Sequence, residues 1–190
     1  MPLMETFRTD RLVAERLQAK DFSELHRLHQ DPKVMAWLSA NGHLRSEGQT
    51  WQSIHSAIAH WEQHGYGGWA FRHKADGRFV GYCGLKQVVV SGNNEVELLY
   101  AVMSDFWGQG LATEMANAVL MIAEEQLDLT DVVSYTLPTN RASQRVMEKV
   151  GFKYERDIIH AGLPHVFYPI TASSSQENRL SRQRNQRNEA

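Results

Sequence analysis

The sequence predicts an α/β protein in which a mixed β-sheet is covered by helices on both faces. Two observations support this prediction. Up to residue 170, strand-like and helix-like patterns alternate in the order β-α-α-β-β-β-α-β-α-β-β, without an internal repeat. The chain also has 190 residues, of which 42% are hydrophobic and 22% charged, and this is enough for one domain with a substantial core.

Hydrophobic periodicity gives the bounds of each element. Strands are predicted over residues 12–17, 69–73, 79–90, 95–103, 132–137, 152–159 and 166–170, and helices over residues 21–29, 46–64, 111–126 and 140–150, with another turn over residues 34–38. Ser46 and Gln49 form a capping-box pattern at the start of the third helix, and Gly151 suits a left-handed cap at the end of the last one. Asp76-Gly77 indicates a hairpin turn whose two central residues both need positive φ.

The domain organisation follows from a change in composition near residue 170. We expect one domain over residues 1–170 and a disordered polar tail over residues 171–190. The tail is rich in Ser, Gln, Asn and Arg, and Leu180 is its only large apolar residue, so it cannot bury enough surface to offset the entropy lost on ordering. An RNA-contacting basic segment is the alternative, although Glu177 and Glu189 dilute its arginines.

Charge and cysteine content exclude several classes of protein. The formal net charge of -2 gives no overall field that would draw the chain to DNA or to an anionic membrane. Cys83 is the only cysteine, which rules out an intramolecular disulfide and a four-cysteine zinc site. Residues 1–11 lack the apolar stretch of a signal peptide, and no run approaches the ~18 apolar residues that span a bilayer. We therefore expect a cytoplasmic protein.

The sharpest local signal is a glycine turn between the strand over residues 95–103 and the helix over residues 111–126. Gly108 and Gly110 flank Gln109 just before the helix begins. A helix N-terminus preceded by such a turn gathers backbone N–H groups and partial positive charge around one point, and glycine lets a phosphate approach the backbone. The turn lacks the Lys-Ser/Thr pair of a P-loop and the third glycine of the dinucleotide fingerprint. We predict a pyrophosphate site, with a plain turn as the alternative.

Two sequence blocks resemble the GCN5-related N-acetyltransferases, the GNAT family. The first, Trp107-Gly108-Gln109-Gly110-Leu111-Ala112, is similar to the family's acetyl-CoA loop, Gln/Arg-x-x-Gly-x-Gly/Ala, with Trp107 at the first position. The second, Asn140-Arg141-Ala142-Ser143 followed by Val146-Met147-Glu148-Lys149-Val150-Gly151-Phe152, resembles the RimJ/RimL-like branch, which acetylates N-termini of ribosomal proteins. Short matches at residues 9–12, 97–102 and 162–165 fit the same branch, so the resemblance runs from about residue 7 to residue 170.

The resemblance implies the GNAT fold, with a mixed, mostly antiparallel central sheet of six to seven strands and a splayed cleft for acetyl-CoA. It implies that Tyr100, Ala101 and Val102 lie along the pantetheine arm and the acetyl carbonyl. It assigns the pyrophosphate to the glycine turn, which comprises Gly108, Gln109, Gly110, Leu111, Ala112 and Thr113. It also gives Asn140 and Ser143 to the donor site, with Asn140 holding the pantetheine arm or a nearby water.

The implied reaction is direct attack of an amine on the thioester, so the site must take a proton from an ammonium and return one to the thiolate. Glu97 is the first candidate for the base, directly or through water; Glu155 is the second, and the alternative is that Glu97 is a solvated or ion-paired residue. In many relatives, a tyrosine four residues after the Ser143 position acts as the general acid. This chain has Met147 there, which cannot donate a proton. Ser143 is therefore the candidate acid, with Tyr100 as an alternative.

We expect an enzyme that transfers the acetyl group of acetyl-CoA to a primary amine, in the first place the N-terminal α-amine of a peptide or protein. A small amine (an amino acid, polyamine or aminoglycoside) is the alternative acceptor, and a non-catalytic acyl-CoA sensor is the alternative class. We take residues 39–49 as the acceptor loop. They hold Glu47 beside Arg45 and His43, so this loop lacks the acidity that a polyamine site would favour. No metal is expected, because His60 and His64 lack the glutamate of the HExxH pattern. The sequence does not decide whether the chain forms a homodimer.

Overall fold

The computed structural model describes residues 5–39 and 41–170. The strands in these ranges are β1 (Thr6–Arg8), β2 (Leu12–Arg16), β3 (Gly68–His73), β4 (Phe79–Val90), β5 (Asn93–Val102), β6 (Val132–Thr136), β7 (Arg156–His160) and β8 (Leu163–Ile170). The α-helices are α1 (Phe22–His29), α2 (Pro32–Leu38), α3 (Glu47–His64), α4 (Leu111–Leu127) and α5 (Arg141–Val150). None of these helices is long and apolar enough to cross a membrane.

The strands form one sheet in the order β1-β2-β3-β4-β5-β6-β8-β7. β5 and β6 run parallel, whereas β1–β2, β2–β3, β3–β4, β6–β8 and β7–β8 are antiparallel. The predicted mixed, mostly antiparallel sheet is confirmed, but the predicted number of six to seven strands is wrong, because β1 is an eighth. Its three residues are too few to show a strand period in the sequence. In the structure, Phe7 of β1 packs edge-on against Trp69 and Phe71.

The chain divides into two compact units. The first unit comprises Met1–Lys86 and Leu98–Ile122, and the second comprises Gln87–Glu97 and Ala123–Ala190. The long strands β4 and β5 therefore each contribute residues to both units. The predicted polar tail over residues 171–190 lies outside the described residues, so its disorder stays a prediction.

The core of the first unit is built on the central strands of its sheet and on α3. Trp69 and Phe71 of β3 and Ile54 of α3 have no exposed surface. The capping box predicted for α3 is confirmed: the Ser46 hydroxyl accepts a hydrogen bond from the Gln49 backbone N–H, and the Gln49 side chain accepts one from the Ser46 N–H. These two bonds satisfy donors that the first turn of the helix would otherwise leave open.

One cluster of buried side chains in the second unit lies on one face of its strands. It comprises Val90, Val133, Ile158 and Phe167. The last helix, α5, ends at Gly151 with a φ of 109°, which confirms the predicted left-handed cap. The β7–β8 hairpin turns at Ala161 and Gly162, which have φ of 49° and 77°, the pair of positive φ angles that suits a tight antiparallel connection.

The turn between β3 and β4 differs from the predicted one. Gly77 has a φ of 68°, but Asp76 does not have a positive φ. Instead the Asp76 carboxylate accepts a hydrogen bond from the Arg78 backbone N–H at 3.1 Å, and the Gly77 N–H donates to the His73 carbonyl at 2.8 Å. A carboxylate that bonds the backbone two residues ahead forms an Asx-turn, so this aspartate closes the loop without a left-handed conformation.

Candidate active site

The predicted anion site is a short backbone turn at the N-terminus of α4. After β5, a 3-10 turn over Ser104–Phe106 leads into two glycines, Gly108 and Gly110, which both have a φ of 74°. A Cβ added to Gly108 would meet no atom within 4 Å, so the left-handed backbone is what requires glycine there, and the space beside it is open.

The first turn of α4 leaves its backbone donors available. The Glu114 N–H donates to the Gly110 carbonyl at 3.1 Å, and this is the first bond of the helical pattern. The N–H groups of Leu111, Ala112 and Thr113 precede that bond and have no acceptor within the helix. With the helix dipole, these donors make the turn suitable for an anionic group.

Arg11, which the sequence prediction missed as a site residue, lies against this turn. Its Nη1 donates to the Gln109 carbonyl at 2.8 Å, and its Nη2 lies 3.7 Å from the Cβ position that Gly110 lacks. In a trans peptide the carbonyl and the following N–H point in opposite directions. Because Arg11 holds the Gln109 carbonyl, the Gly110 N–H points away from the guanidinium.

Glu114 in turn fixes Arg11. Its carboxylate accepts hydrogen bonds from Arg11 Nε at 2.6 Å, from the Arg11 backbone N–H at 2.8 Å and from the Thr9 hydroxyl. Burial alone would raise the pKa of Glu114, but the hydrogen bonds from Thr9 and Arg11 hold it below its ordinary value. The Thr9–Arg11–Glu114 set is therefore a charged clamp on the glycine turn.

Trp107, which stands where the family pattern has Gln or Arg, bonds to the end of β5. Its indole Nε1–H donates to the Val102 carbonyl at 2.8 Å, while 43% of the residue stays exposed. Of the three strand residues predicted to follow the pantetheine arm, Ala101 and Val102 are buried and Tyr100 is half-buried. The Val102 carbonyl thus already has one donor from within the chain.

Glu97, the predicted base, lies on β5 opposite Val133 of β6. Its Oε2 accepts a hydrogen bond from the Tyr135 hydroxyl at 3.1 Å, and the same hydroxyl oxygen lies 3.3 Å from His160 Nε2. Burial, and then the charge of Glu97, raise the pKa of Tyr135 above its ordinary value. The sequence prediction missed Tyr135 and His160, because strand pairing brings them to Glu97.

The other predicted catalytic residues stand at the start of α5. The Asn140 Oδ1 accepts a hydrogen bond from the Ser143 backbone N–H at 3.2 Å, and its Nδ2 donates to the Thr136 hydroxyl at 3.1 Å. Asn140 is therefore the N-cap of α5. Met147, at the position where many relatives have tyrosine, is completely buried in the core.

Glu155, the second candidate for the base, is exposed and forms an ion pair with Arg156. The structure places the predicted residues, and the residues that the prediction missed, in two groups. The first unit holds Tyr100–Val102, the glycine turn and Arg11, and the second unit holds Glu97, Tyr135, Asn140 and Ser143. Within the described ranges, no three His, Cys, Asp or Glu side chains are placed to hold a metal ion.

A protein-family model identifies the family of this chain. The model of the acetyltransferase (GNAT) domain matches residues 11–153, which is most of the chain. This chain belongs to the GNAT family. The predicted family and fold are thereby confirmed, and this GNAT protein is an acetyltransferase.

Several relatives resemble this GNAT acetyltransferase over most of its length. The YkkB protein of Bacillus subtilis (strain 168) is 28% identical over 161 residues, which cover 84% of this chain and 92% of that protein. The FsC-acetyl coenzyme A-N(2)-transacetylase of Aspergillus fumigatus is 32% identical over 136 residues, which cover 67% of this chain and 56% of that protein. Among solved structures, the ribosomal L7/L12 α-N-protein acetyltransferase RimL in complex with coenzyme A has a TM-score of 0.74 at 18% identity, covering 88% of this chain and 99% of that one. At this identity the RimL match shows a shared fold.

Proposed function

We propose that this enzyme transfers the acetyl group of acetyl-CoA to a primary amine, with the N-terminal α-amine of a peptide or protein as the first candidate acceptor. The observation that carries the proposal is the open, left-handed glycine turn at the N-terminus of α4, clamped by Arg11. The family match supports an acetyl-group donor. The name of RimL supports the acceptor, because it describes an acetyltransferase of a protein α-amine.

The donor assignment uses backbone groups. We assign the pyrophosphate to the N–H groups of residues 108–113, where the space beside Gly108 is open and the helix dipole favours negative charge. Arg11 acts as a positioning residue, because its bond to the Gln109 carbonyl directs the Gly110 N–H away from the guanidinium. Tyr100, Ala101 and Val102 are assigned to the pantetheine arm through their strand backbone.

The chemistry requires two proton movements. Glu97 takes one proton from the acceptor ammonium, and the free amine then attacks the thioester carbon. As the new C–N bond forms and the C–S bond breaks, the electron pair leaves with the sulfur. Ser143 donates a proton to the thiolate and regains the second proton that nitrogen releases. We assign Asn140 an indirect role, because its side chain caps α5 at Ser143.

A small amine is the second candidate acceptor. The fungal relative is named as an FsC-acetyl coenzyme A-N(2)-transacetylase, and this name mentions FsC and no ribosomal protein. We assign the acceptor loop to residues 39–49, in which Arg45 bonds to the Ser53 hydroxyl at 2.7 Å. Glu47 is the single acidic residue of this loop beside Arg45, so the loop lacks the negative charge that would attract a polyamine.

The donor assignment is tested with a charge-only comparison at Gly108. Asn and Asp both tolerate a left-handed backbone better than other residues, and they differ mainly in charge. We expect Gly108→Asn to retain most of the affinity for acetyl-CoA and Gly108→Asp to weaken it at least tenfold relative to Gly108→Asn, since a carboxylate would face the phosphates. Isothermal titration measures both. Equal affinities for the two variants would mean that the phosphates bind elsewhere.

Gly110 is a less suitable position for this comparison. A side chain there would extend toward Arg11 Nη2, which is 3.7 Å from the Cβ position. An aspartate at Gly110 would form an ion pair with the clamp and would combine two effects in one measurement.

The acceptor is identified by a screen of peptides with free N-termini, amino acids and polyamines, in which the released coenzyme A thiol is detected. The chain's own thiol stays silent, because Cys83 has no exposed surface and burial raises its pKa. Acetylation of peptides with free N-termini in preference to polyamines is the expected result. Binding of acetyl-CoA without turnover on any amine would favour the sensor alternative.

A further inference from the structure

The geometry points to Tyr135 and His160 as positioning residues for Glu97, which hold its carboxylate in one orientation and favour its charged form before it takes a proton from the acceptor. This inference rests on the proposed function, because it takes Glu97 as the base. The observation behind it is a chain of hydrogen bonds, 3.1 Å from the Tyr135 hydroxyl to Glu97 Oε2 and 3.3 Å between that hydroxyl and His160 Nε2.

The direction of both hydrogen bonds follows from which of the three side chains can donate a proton. An ionised carboxylate can only accept, so the single proton of the Tyr135 hydroxyl points to Glu97 Oε2. The Tyr135 oxygen must then accept from His160, which requires the proton of His160 on Nε2. Both hydrogen bonds are therefore donated in the direction of Glu97, and this arrangement stabilises a negative charge on the Glu97 carboxylate.

The strand register places these groups on one face of the second unit. Glu97 lies opposite Val133, and Tyr135 is two residues further along β6. Tyr135 lies opposite Phe167 of β8, two residues from His165, and His165 lies opposite Ile158 of β7, two residues from His160. Residues two apart in a strand share a face, so four side chains that can titrate, from four strands, lie together.

Three further charged or polar side chains share this face: Glu95, two residues before Glu97 on β5, His165 of β8 and Arg156 of β7. The His165 Nδ1 bonds to the Leu163 carbonyl at 3.0 Å, and its ring meets the Tyr135 ring edge-on at 5.6 Å. The Arg156 guanidinium lies 4.2 Å from the centre of the Phe167 ring and pairs with Glu155. Among these groups, the Tyr135 hydroxyl lies within hydrogen-bond distance of both Glu97 and His160.

The hydrogen bond from the Tyr135 hydroxyl to Oε2 of Glu97 holds the carboxylate in one orientation. Removing the Tyr135 hydroxyl would let the carboxylate rotate and would make its charged form less favourable.

The first test compares tyrosine-to-phenylalanine variants that each remove one hydroxyl. We expect Tyr135→Phe to lower kcat about tenfold, a typical effect of losing a hydrogen bond to a charged group, and to move the acidic limb of the kcat–pH profile to higher pH. The affinity for acetyl-CoA should not change. Tyr168→Phe is the matched control, because the Tyr168 hydroxyl also bonds to a carboxylate, that of Glu148 at 3.3 Å. Tyr168 follows Phe167, the residue opposite Tyr135, and therefore faces the other side of β8.

A double-mutant cycle separates a role through Glu97 from general disruption. If Tyr135 acts through Glu97, Tyr135→Phe should cost nothing further in a Glu97→Gln background. An additive loss, or a loss equal to that of Tyr168→Phe, would overturn the inference. If the unaltered chain neither binds acetyl-CoA nor acetylates any amine, the proposed function fails instead.

A second measurement tests the coupling between His160 and Glu97 and does not require turnover. The imidazole of His160 can be titrated by NMR in the full chain. We expect Glu97→Gln to lower the midpoint of the His160 titration, because it removes a negative charge that Tyr135 couples to the ring, and Tyr168→Phe to leave the midpoint unchanged. A midpoint of His160 that is insensitive to Glu97→Gln would show that the two residues are not coupled.

Discussion

At the scale of single residues, the contacts that organise the glycine turn come from the short connection between β1 and β2. Arg11 and Gln109 are 98 positions apart, and the Arg11 fork occupies both the Gln109 carbonyl and the Glu114 carboxylate. Lysine cannot reproduce this fork, because it offers a single ammonium group in place of planar, divergent donors. The turn therefore depends on the geometry of arginine as well as on its charge.

We expect Arg11→Ala to raise the dissociation constant for acetyl-CoA about tenfold, as the loss of a hydrogen bond to a preorganised group does, and Arg11→Lys to have an intermediate effect. Arg8→Ala, which removes an exposed positive charge from β1, is the matched control and should change the affinity little. Isothermal titration measures the affinity, and thermal unfolding checks that each variant folds. Equal effects of Arg8→Ala and Arg11→Ala would reduce the role of Arg11 to overall charge.

The sequence predicts the residues of the glycine turn because they are consecutive, and their backbone torsions follow from the glycines. It does not predict Arg11, Tyr135 or His160, since each meets its partner only when distant segments of the chain come together in the fold. The Asn140 side chain shows a different limit. Its pattern is visible in the sequence, but its contact with Thr136 and its capping of α5 emerge only with the fold.

At the scale of elements, α1 and α3 are joined by a polar contact inside the first unit. The Thr50 hydroxyl of α3 lies 3.0 Å from His29 Nδ1 and 3.1 Å from His26 Nδ1, both on α1. His29 has 1% of its surface exposed. Burial, followed by the positive charges of Arg45 and His26, lowers the pKa of His29 from 6.5 to about 4. The helix pair therefore packs around a neutral imidazole.

This contact predicts a loss of stability in mild acid. Between pH 6.5 and 4 the unfolded chain binds a proton at His29 and the folded chain does not, so the free energy of unfolding falls as the pH falls through this window. From pH 7 to pH 5 we expect a loss of about 2 kcal/mol from this residue. Urea unfolding of His29→Gln should show a pH dependence smaller by that amount, whereas exposed His55→Gln should behave like the unaltered chain. Parallel pH profiles for all three would refute the assignment.

At the scale of the whole molecule, the sequence predicts the order of the long elements but misses the short strand β1 and the finer boundaries. The long periodic helices and the strand pairs are where the hydrophobic pattern places them, because burial dominates their formation. The division of β4 and β5 between two compact units is not visible in the pattern, since the sequence predicts each of them as one uninterrupted strand.

Donor binding should stabilise the folded chain by mass action. At a concentration of acetyl-CoA one hundred times its dissociation constant, the free energy of unfolding should rise by about 2.7 kcal/mol. Chemical denaturation with and without acetyl-CoA measures this change. Gly108→Asp, with at least tenfold weaker binding, should lose about half of this stabilisation or more at the same ligand concentration, and Gly108→Asn should keep most of it. Equal stabilisation of both variants by acetyl-CoA would contradict the binding site proposed on the turn.

The clamp on the glycine turn also has a consequence for the order of folding. Its contacts join residues 9 and 11 to residues 109 and 114, at sequence separations of 98 to 105. Contacts between such distant segments close large loops and form late, after local helices and hairpins. During synthesis, the turn can receive its clamp only when α4 has left the ribosome, long after β1 and β2. Competence to bind the acetyl donor is therefore acquired in one of the last steps of folding of the first unit, so a nascent chain that stops before α4 would lack it.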